Sequence, residues 1–338
     1  LNMQTVEEAE LCFPQLLNSS CKRTLQHPYV YLTIHLALSF ISVLTVFLNL
    51  LVIISICCFK KLHNPTNIFL LSLAISDCIV GFLISFQIAQ IDDCWYLGDI
   101  ICVLYVILDY VITTSSIGTM VLISVDRYVA ICYPLYYPTK VTAERARICV
   151  SLFWMCSILY NCVLFRDNLQ HPGRYNSCSG ECLVFLDYFG GVFDLLSSFI
   201  CPVTVIIILY ARVFVVVVSQ ARSMKSHVAA VSIQGSVTIT AKKSEIKAAI
   251  TLGIVVVVFL VCTCPYFCVS LISEDDAVSA SSVPFLLFYL NSTFNPLIYA
   301  LFYPWFRKSL KLIFTLKAIK QIVTFNILHP GSSKANIL

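Results

Sequence analysis

Two aspartates stand inside apolar runs long enough to cross a bilayer, Asp109 in ICVLYVILDYVITTSSIGTMVLISV and Asp194 in VFLDYFGGVFDLLSSFICPVTVIIILY. A carboxylate at membrane depth is costly unless it meets a partner or water, so such a residue marks a functional site by default. No intramembrane Lys or Arg is at hand to neutralise either one. The pair therefore describes a pocket for positive charge brought from outside. Catalysis is not expected: the six His are scattered, and no nucleophile–base pair or metal-ligand spacing occurs.

These acids need elements to hold them. The chain has 338 residues, 59% of them hydrophobic and 12% charged, where an ordinary soluble domain carries about 25% charged residues. Its mean hydropathy is +0.88. Apolar segments of spanning length follow one another at about 30–58, 66–90, 99–125, 148–165, 186–218, 247–272 and 280–303. They are continuously apolar rather than alternating, which selects helices over a β-barrel. The expected fold is an all-α membrane protein: a seven-transmembrane helix bundle over 30–303, an extracellular segment 1–29, and a cytoplasmic tail 304–338. Trp305 to Thr315 carries an amphipathic pattern with basic residues, which suits a short eighth helix lying on the membrane lipid. The N-terminal segment lacks the short apolar core of a cleavable leader. The chain opens on Leu1, and a few residues are expected to precede it.

Orientation follows from the basic residues. Lys60, Lys140, Arg145, Arg212, Lys243, Arg307, Lys308 and Lys311 fall on one side, which is therefore cytoplasmic, and the N-terminus is outside. Glu7, Glu8, Asp92, Asp99, Asp167, Glu181, Asp187 and Glu274 fall on the other side. An acidic rim concentrates cations at the mouth of a pocket; for any single acid a solvated surface residue is the simpler reading. Nothing in this charge pattern calls for nucleic acid.

Cys12, Cys21, Cys94, Cys102, Cys178 and Cys182 fall outside, where disulfides are permitted. The residues alone leave their pairing open. The remaining cysteines read as small apolar fillers. Asn18-Ser19-Ser20 is a glycosylation sequon on the outer segment, whereas Asn291-Ser292-Thr293 lies inside the last span and should stay unmodified.

The polar residues of the spans form an ordered series: Asn49, Asp77, Trp95-x-x-Gly98-x-x-x-Cys102, Asp126-Arg127-Tyr128, Trp154, Pro202 with Tyr210, Phe259 with Pro265, and Asn295-Pro296-Leu-Ile-Tyr299. Across the whole chain this resembles the rhodopsin-like (class A) G-protein-coupled receptors. The ending from Asn291 through Tyr303-Pro-Trp305-Phe306 is similar to that of the trace amine-associated receptors, and the pattern looks most like their fish members. The resemblance implies an olfactory-type amine receptor of the plasma membrane that couples to a stimulatory, cAMP-raising G protein. A second intramembrane Asp is associated there with diamine recognition.

On this resemblance the position of Asp109 binds the ligand ammonium, and that of Asp194 faces the same pocket from the fifth span. Asp109 lies seven residues beyond Cys102, roughly 10 Å along a helix. A monoamine on Asp109 would leave Asp194 unpaired or protonated. An α,ω-diamine such as cadaverine or putrescine satisfies both carboxylates. Hydrogen bonding within a helix is the structural alternative for Asp109. For Asp194 the alternatives are Arg166 or Arg174 folding down, or water. Tyr289 aligns with a residue that hydrogen-bonds the Asp109 equivalent, and Tyr266, Phe267 and Phe285 are further candidates for an aromatic cage around the cation. For the phenylalanines simple packing is an equal reading.

The resemblance also pairs Cys102 with Cys182, and Cys178 with Cys21 or alternatively Cys12, as a lid over the pocket; Cys94 is left without a partner. Asp77, Ser116, Asn291 and Asn295 match a sodium site built from oxygen ligands, with plain hydrogen bonding of Asp77 as the alternative. Asp126, Arg127, Tyr128, Tyr210, Tyr299 and Glu245 match the G-protein switch, in which Arg127 pairs with Asp126 and with Glu245 at the foot of the sixth span. Pro202, Ile117 and Phe259 match the packing triad that links pocket to switch. Thr263 stands where most relatives carry a Trp, so transmission is expected to differ. A transporter with Asp77, Asp109 and Asp194 along an ion path is the rival from another class, disfavoured because no inverted repeat is visible.

Overall fold

The computed structural model describes residues 10–23, 28–91, 94–228, 236–272 and 283–315. Its helices in chain order are α1 (Pro28–Cys58), α2 (Pro65–Ile91), α3 (Asp99–Cys132), the short α4 (Tyr137–Lys140), α5 (Ala143–Leu164), the short α6 (Arg166–Gln170), α7 (Tyr188–Asp194), α8 (Cys201–Val228), α9 (Ser236–Ile272), α10 (Val283–Phe302) and α11 (Pro304–Phe314). A π-helical turn, Leu195–Ile200, joins α7 to α8 as one rod. Six stretches are long and apolar enough to cross a membrane, and α10 adds the shorter apolar stretch Leu286–Phe302. In lipid each rod must satisfy its own backbone, which a helix does and an open strand does not.

Helix ends follow local chemistry. The Thr142 side chain accepts from the Arg145 amide at 3.3 Å and caps α5. The fourth rod therefore starts at Ala143, ahead of the expected 148, because a capped polar turn extends the helix past the lipid-facing run. The inner loop expected at about 219–244 is likewise largely helical, since α8 runs to Val228 and α9 begins at Ser236. Tyr303 breaks the last rod, and Pro304 opens α11, where its missing N–H costs nothing. On α11 Phe306 and Ser309 are buried while Arg307, Lys308 and Lys311 are exposed, the two-faced pattern of an interfacial helix.

The rods pack where small residues allow it. A Cβ on Gly81 would lie 2.6 Å from the Val46 side chain, and Ser42 donates to the Gly81 carbonyl at 2.6 Å, locking α1 to α2. Polar side chains tie further rods together. Thr45 and Thr293 hydroxyls lie 2.6 Å apart, Asn49 donates to the Ser292 carbonyl at 3.0 Å, and the Trp154 indole donates to Ser72 at 3.0 Å. The two largest buried apolar clusters among the described residues lie toward the inner and outer ends. The inner includes Leu73, Ile117, Met120, Leu252, Phe259 and Tyr299; the outer includes Trp95, Tyr105, Ile112 and Tyr289.

Candidate functional site

Asp109 projects from α3 in a half-buried setting and accepts no hydrogen bond from any described residue. Its charge reaches the hydroxyls of Tyr105 and Tyr289. Both hydroxyls are engaged elsewhere: Tyr105 donates to the Gln87 side-chain oxygen at 2.7 Å, and Tyr289 makes a long 3.4 Å contact with the same oxygen. The expected Tyr289-to-Asp109 hydrogen bond is thus replaced by one to Gln87. A buried amide oxygen has two lone pairs to satisfy, and Gln87 takes both phenols.

Asp194 is held differently. Tyr160 of α5 donates to its Oδ1 at 2.9 Å, and Ser198, one turn along its own rod, donates to the same oxygen at 2.8 Å. Neither expected arginine folds down onto it. Arg174 pairs instead with Asp167 at 3.3 Å on the surface, and Arg166 is exposed. A hydrogen bond from the Tyr175 hydroxyl, helped by the Arg174 charge, holds the Asp167 carboxyl below the usual carboxylate range. Asp109 and Asp194 belong to separate hydrogen-bond groups, and neither meets a Lys or Arg among the described residues.

Aromatic residues gather beside α9. Phe267 stacks on Phe199 with centroids 3.9 Å apart, Tyr266 lies against Phe288 at 5.0 Å, and Phe288 meets Tyr289 edge-on at 5.7 Å. Phe285 lies on α10, with its side chain outside the described residues. Thr263, four residues before Phe267 on α9, is buried. Sequence reasoning missed Tyr160, Ser198, Gln87, Phe199 and Phe288. Only Ser198 carried a readable signal, a hydroxyl four residues after an acid and hence on the same helix face.

Above the pocket three disulfides knit the outer face. Cys102–Cys182 ties α3 to the second outer loop, Cys21–Cys178 ties that loop to the N-terminal segment, and Cys12–Cys94 ties the segment to the α2–α3 loop. Cys94, left without a partner in the sequence reading, takes Cys12. The segment folds as an antiparallel hairpin, β1 (Glu10–Leu11) with β2 (Lys22–Arg23), and Ser20 pairs with Ser179 of the second outer loop. Beneath it lies a cavity of about 480 Å³ lined by Phe13, Tyr96, Asp99, Asn176 and Glu181 among others. Asn18 is exposed on a turn of this lid. Asp92, Asp93 and Glu274 of the acidic rim lie outside the described residues.

At midplane Asn295 donates to Asp77 Oδ2 at 2.8 Å. The second Asp77 oxygen, the side-chain oxygens of Asn291 and Asn295, and Ser115 Oγ are buried without a partner among the described residues. Ser116 donates to Ser76 at 2.9 Å. At the inner end Arg127 is ion-paired with Asp126, and its guanidinium also donates to Thr66. Tyr137 of α4 donates to the other Asp126 oxygen at 2.8 Å. Burial, then the Asp126 charge, pushes the Tyr137 phenol up to about 12. Tyr128 packs edge-on against Tyr133. The hydroxyls of Tyr210, Tyr299 and Tyr303 are buried without a partner among the described residues. Glu245 lies on α9, and its side chain is outside the described residues.

Residues 48–299 match the 7 transmembrane receptor (rhodopsin family) profile. The chain is 37% identical to Trace amine-associated receptor 13c of Danio rerio over 351 aligned residues, covering 100% of this chain and 98% of that protein. It is 36% identical to Trace amine-associated receptor 6 of Pan troglodytes, covering 94% and 95% of the two chains, and 36% identical to Trace amine-associated receptor 8a of Rattus norvegicus, covering 92% and 94%. The chain belongs to the trace amine-associated receptor family. It is thus a rhodopsin-family G-protein-coupled receptor, a multi-pass protein of the plasma membrane, in a family of receptors rather than enzymes. In the receptor, Asp126-Arg127-Tyr128 closes α3 facing the cytoplasm, and Asp109 stands in its outer half on the side of the bridged loops.

Proposed function

We propose that the receptor senses small amines and that its preferred ligand is a diamine such as cadaverine or putrescine, with one ammonium on Asp109 and the other on Asp194. The observation that carries this reading is the charge state of the bundle. Two carboxylates stand in its outer half, and no described Lys or Arg neutralises either. A dication with an apolar spacer supplies both missing charges, and charge-assisted hydrogen bonds of this kind are the strong ones. The rings of Tyr266, Phe267 and Tyr289 offer cation–π surfaces nearby. Binding biases the Arg127 switch, and the response is activation of a stimulatory G protein and a rise in cAMP, the coupling expected of an olfactory-type receptor. The buried orphan oxygens of Asp77, Asn291 and Asn295 fit a sodium ion, for which these residues and Ser116 would be the ligands. Such an ion would supply positive charge to Asp77.

The test is a cAMP assay in transfected cells over monoamines and α,ω-diamines of graded chain length. Diamine potency should exceed that of the matched monoamine, and Asp194→Ala should remove the difference. Unchanged diamine potency in that variant would refute the two-carboxylate reading. A monoamine receptor is the second reading, favoured by the hydrogen bonds that Tyr160 and Ser198 already give Asp194. Uptake of labelled diamine without any cAMP rise would instead point to a transporter.

A further inference from the structure

We infer that Tyr160, together with Ser198, is a positioning residue that fixes the Asp194 carboxylate and aims its free oxygen at a second ammonium, so that Tyr160 sets selectivity for diamines over monoamines. The inference rests on the two-carboxylate reading above and deepens it.

A carboxylate only accepts hydrogen bonds. The Tyr160 hydroxyl, 2.9 Å from Asp194 Oδ1, must therefore give its single proton to that oxygen. Ser197 Oγ lies 3.1 Å from the same phenol oxygen, but its own proton goes to the Phe193 carbonyl at 2.8 Å. Ser198 adds a second proton to Oδ1 at 2.8 Å. The result is two donors, Tyr160 and Ser198, converging on one carboxylate oxygen. Both donors land on Oδ1, and no described residue donates to Oδ2.

The backbone explains why these groups meet. Pro202 lacks an N–H, and its ring crowds the carbonyl four residues earlier, which is that of Ser198. The strain is taken up in the π-helical turn Leu195–Ile200 immediately after Asp194. π turns inside α-helices recur at functional sites. Here the turn brings Asp194 against α5 while keeping Ser198 on its own face.

Asp194 thus presents one unshared oxygen in a fixed direction. Preorganisation of this kind raises affinity by removing the cost of ordering on binding. It acts only on a ligand with a second positive end. A monoamine on Asp109 should not register the loss of Tyr160.

The experiment compares wild type, Tyr160→Phe, Ser198→Ala, the double variant and Asp194→Ala in transfected cells matched for surface receptor. Each is titrated with pentane-1,5-diamine and with n-pentylamine, with cAMP as readout. Tyr160→Phe should weaken diamine potency about tenfold, the scale of one lost hydrogen bond to a charged group, and the double variant more. Monoamine potency should hold. Equal losses for both ligands, or a double variant that matches wild type while Asp194→Ala does not, would overturn the inference and leave the two-carboxylate reading standing. Asp194→Ala indistinguishable from wild type, or a wild type silent to the diamine, would overturn the reading beneath it.

Discussion

Asn295 gives its amide to one oxygen of Asp77 at 2.8 Å while the other Asp77 oxygen and its own side-chain oxygen stay buried without a partner among the described residues. Buried orphans of this kind call for a missing ligand, and one carboxylate with several neutral oxygens suits a hard cation. Purified receptor should melt at a higher temperature in NaCl than in choline chloride of equal ionic strength. Asp77→Asn should remove that difference. A sodium-independent melting curve in the parent receptor would reject the ion.

At the inner end, Tyr137 anchors one oxygen of Asp126 while Arg127 and Thr66 are bound at the other. Its phenol, pushed up to about 12, remains a donor throughout the physiological range. Tyr137→Phe removes a hydrogen bond to a charged group, a loss of about 1.5–3 kcal/mol. Asp126 should then hold Arg127 less firmly, and the resting equilibrium should shift toward release. Basal cAMP in cells without ligand should rise several-fold at matched expression.

Thr263 is 2% exposed on α9. Thr263→Trp should therefore overpack the site, with a cost of about 1–3 kcal/mol, and should lower melting temperature and surface expression without raising the maximal response. A larger response at unchanged stability would show that room exists.

The Cys12–Cys94 bridge closes a loop of sequence separation 82. Replacing both cysteines by Ser should destabilise the receptor by about 2–4 kcal/mol, read as a lower melting temperature. The amine response should persist, because Cys21–Cys178 and Cys102–Cys182 still hold the second outer loop. Loss of all response in a receptor that still reaches the surface would give the lid a part in binding itself.

The amino-acid sequence by itself determined the spans, their orientation and the two carboxylates. A bilayer imposes length, polarity and charge asymmetry on each segment separately, and those are properties of local sequence. It placed helix ends less well: the capped turn at Thr142 and the helical extensions around the inner loop owe nothing to hydropathy. Tertiary structure alone decided which cysteines pair, that Gln87 takes the hydroxyls of Tyr105 and Tyr289, and that Asp194 leans on Tyr160. Each of these joins residues far apart in the chain, and each depends on how a rod is rotated about its axis. That rotation is set by packing at positions such as Gly81 and by the π turn beside Pro202. Residue type announced an intramembrane acid at position 194, and helix rotation decided what that acid would face.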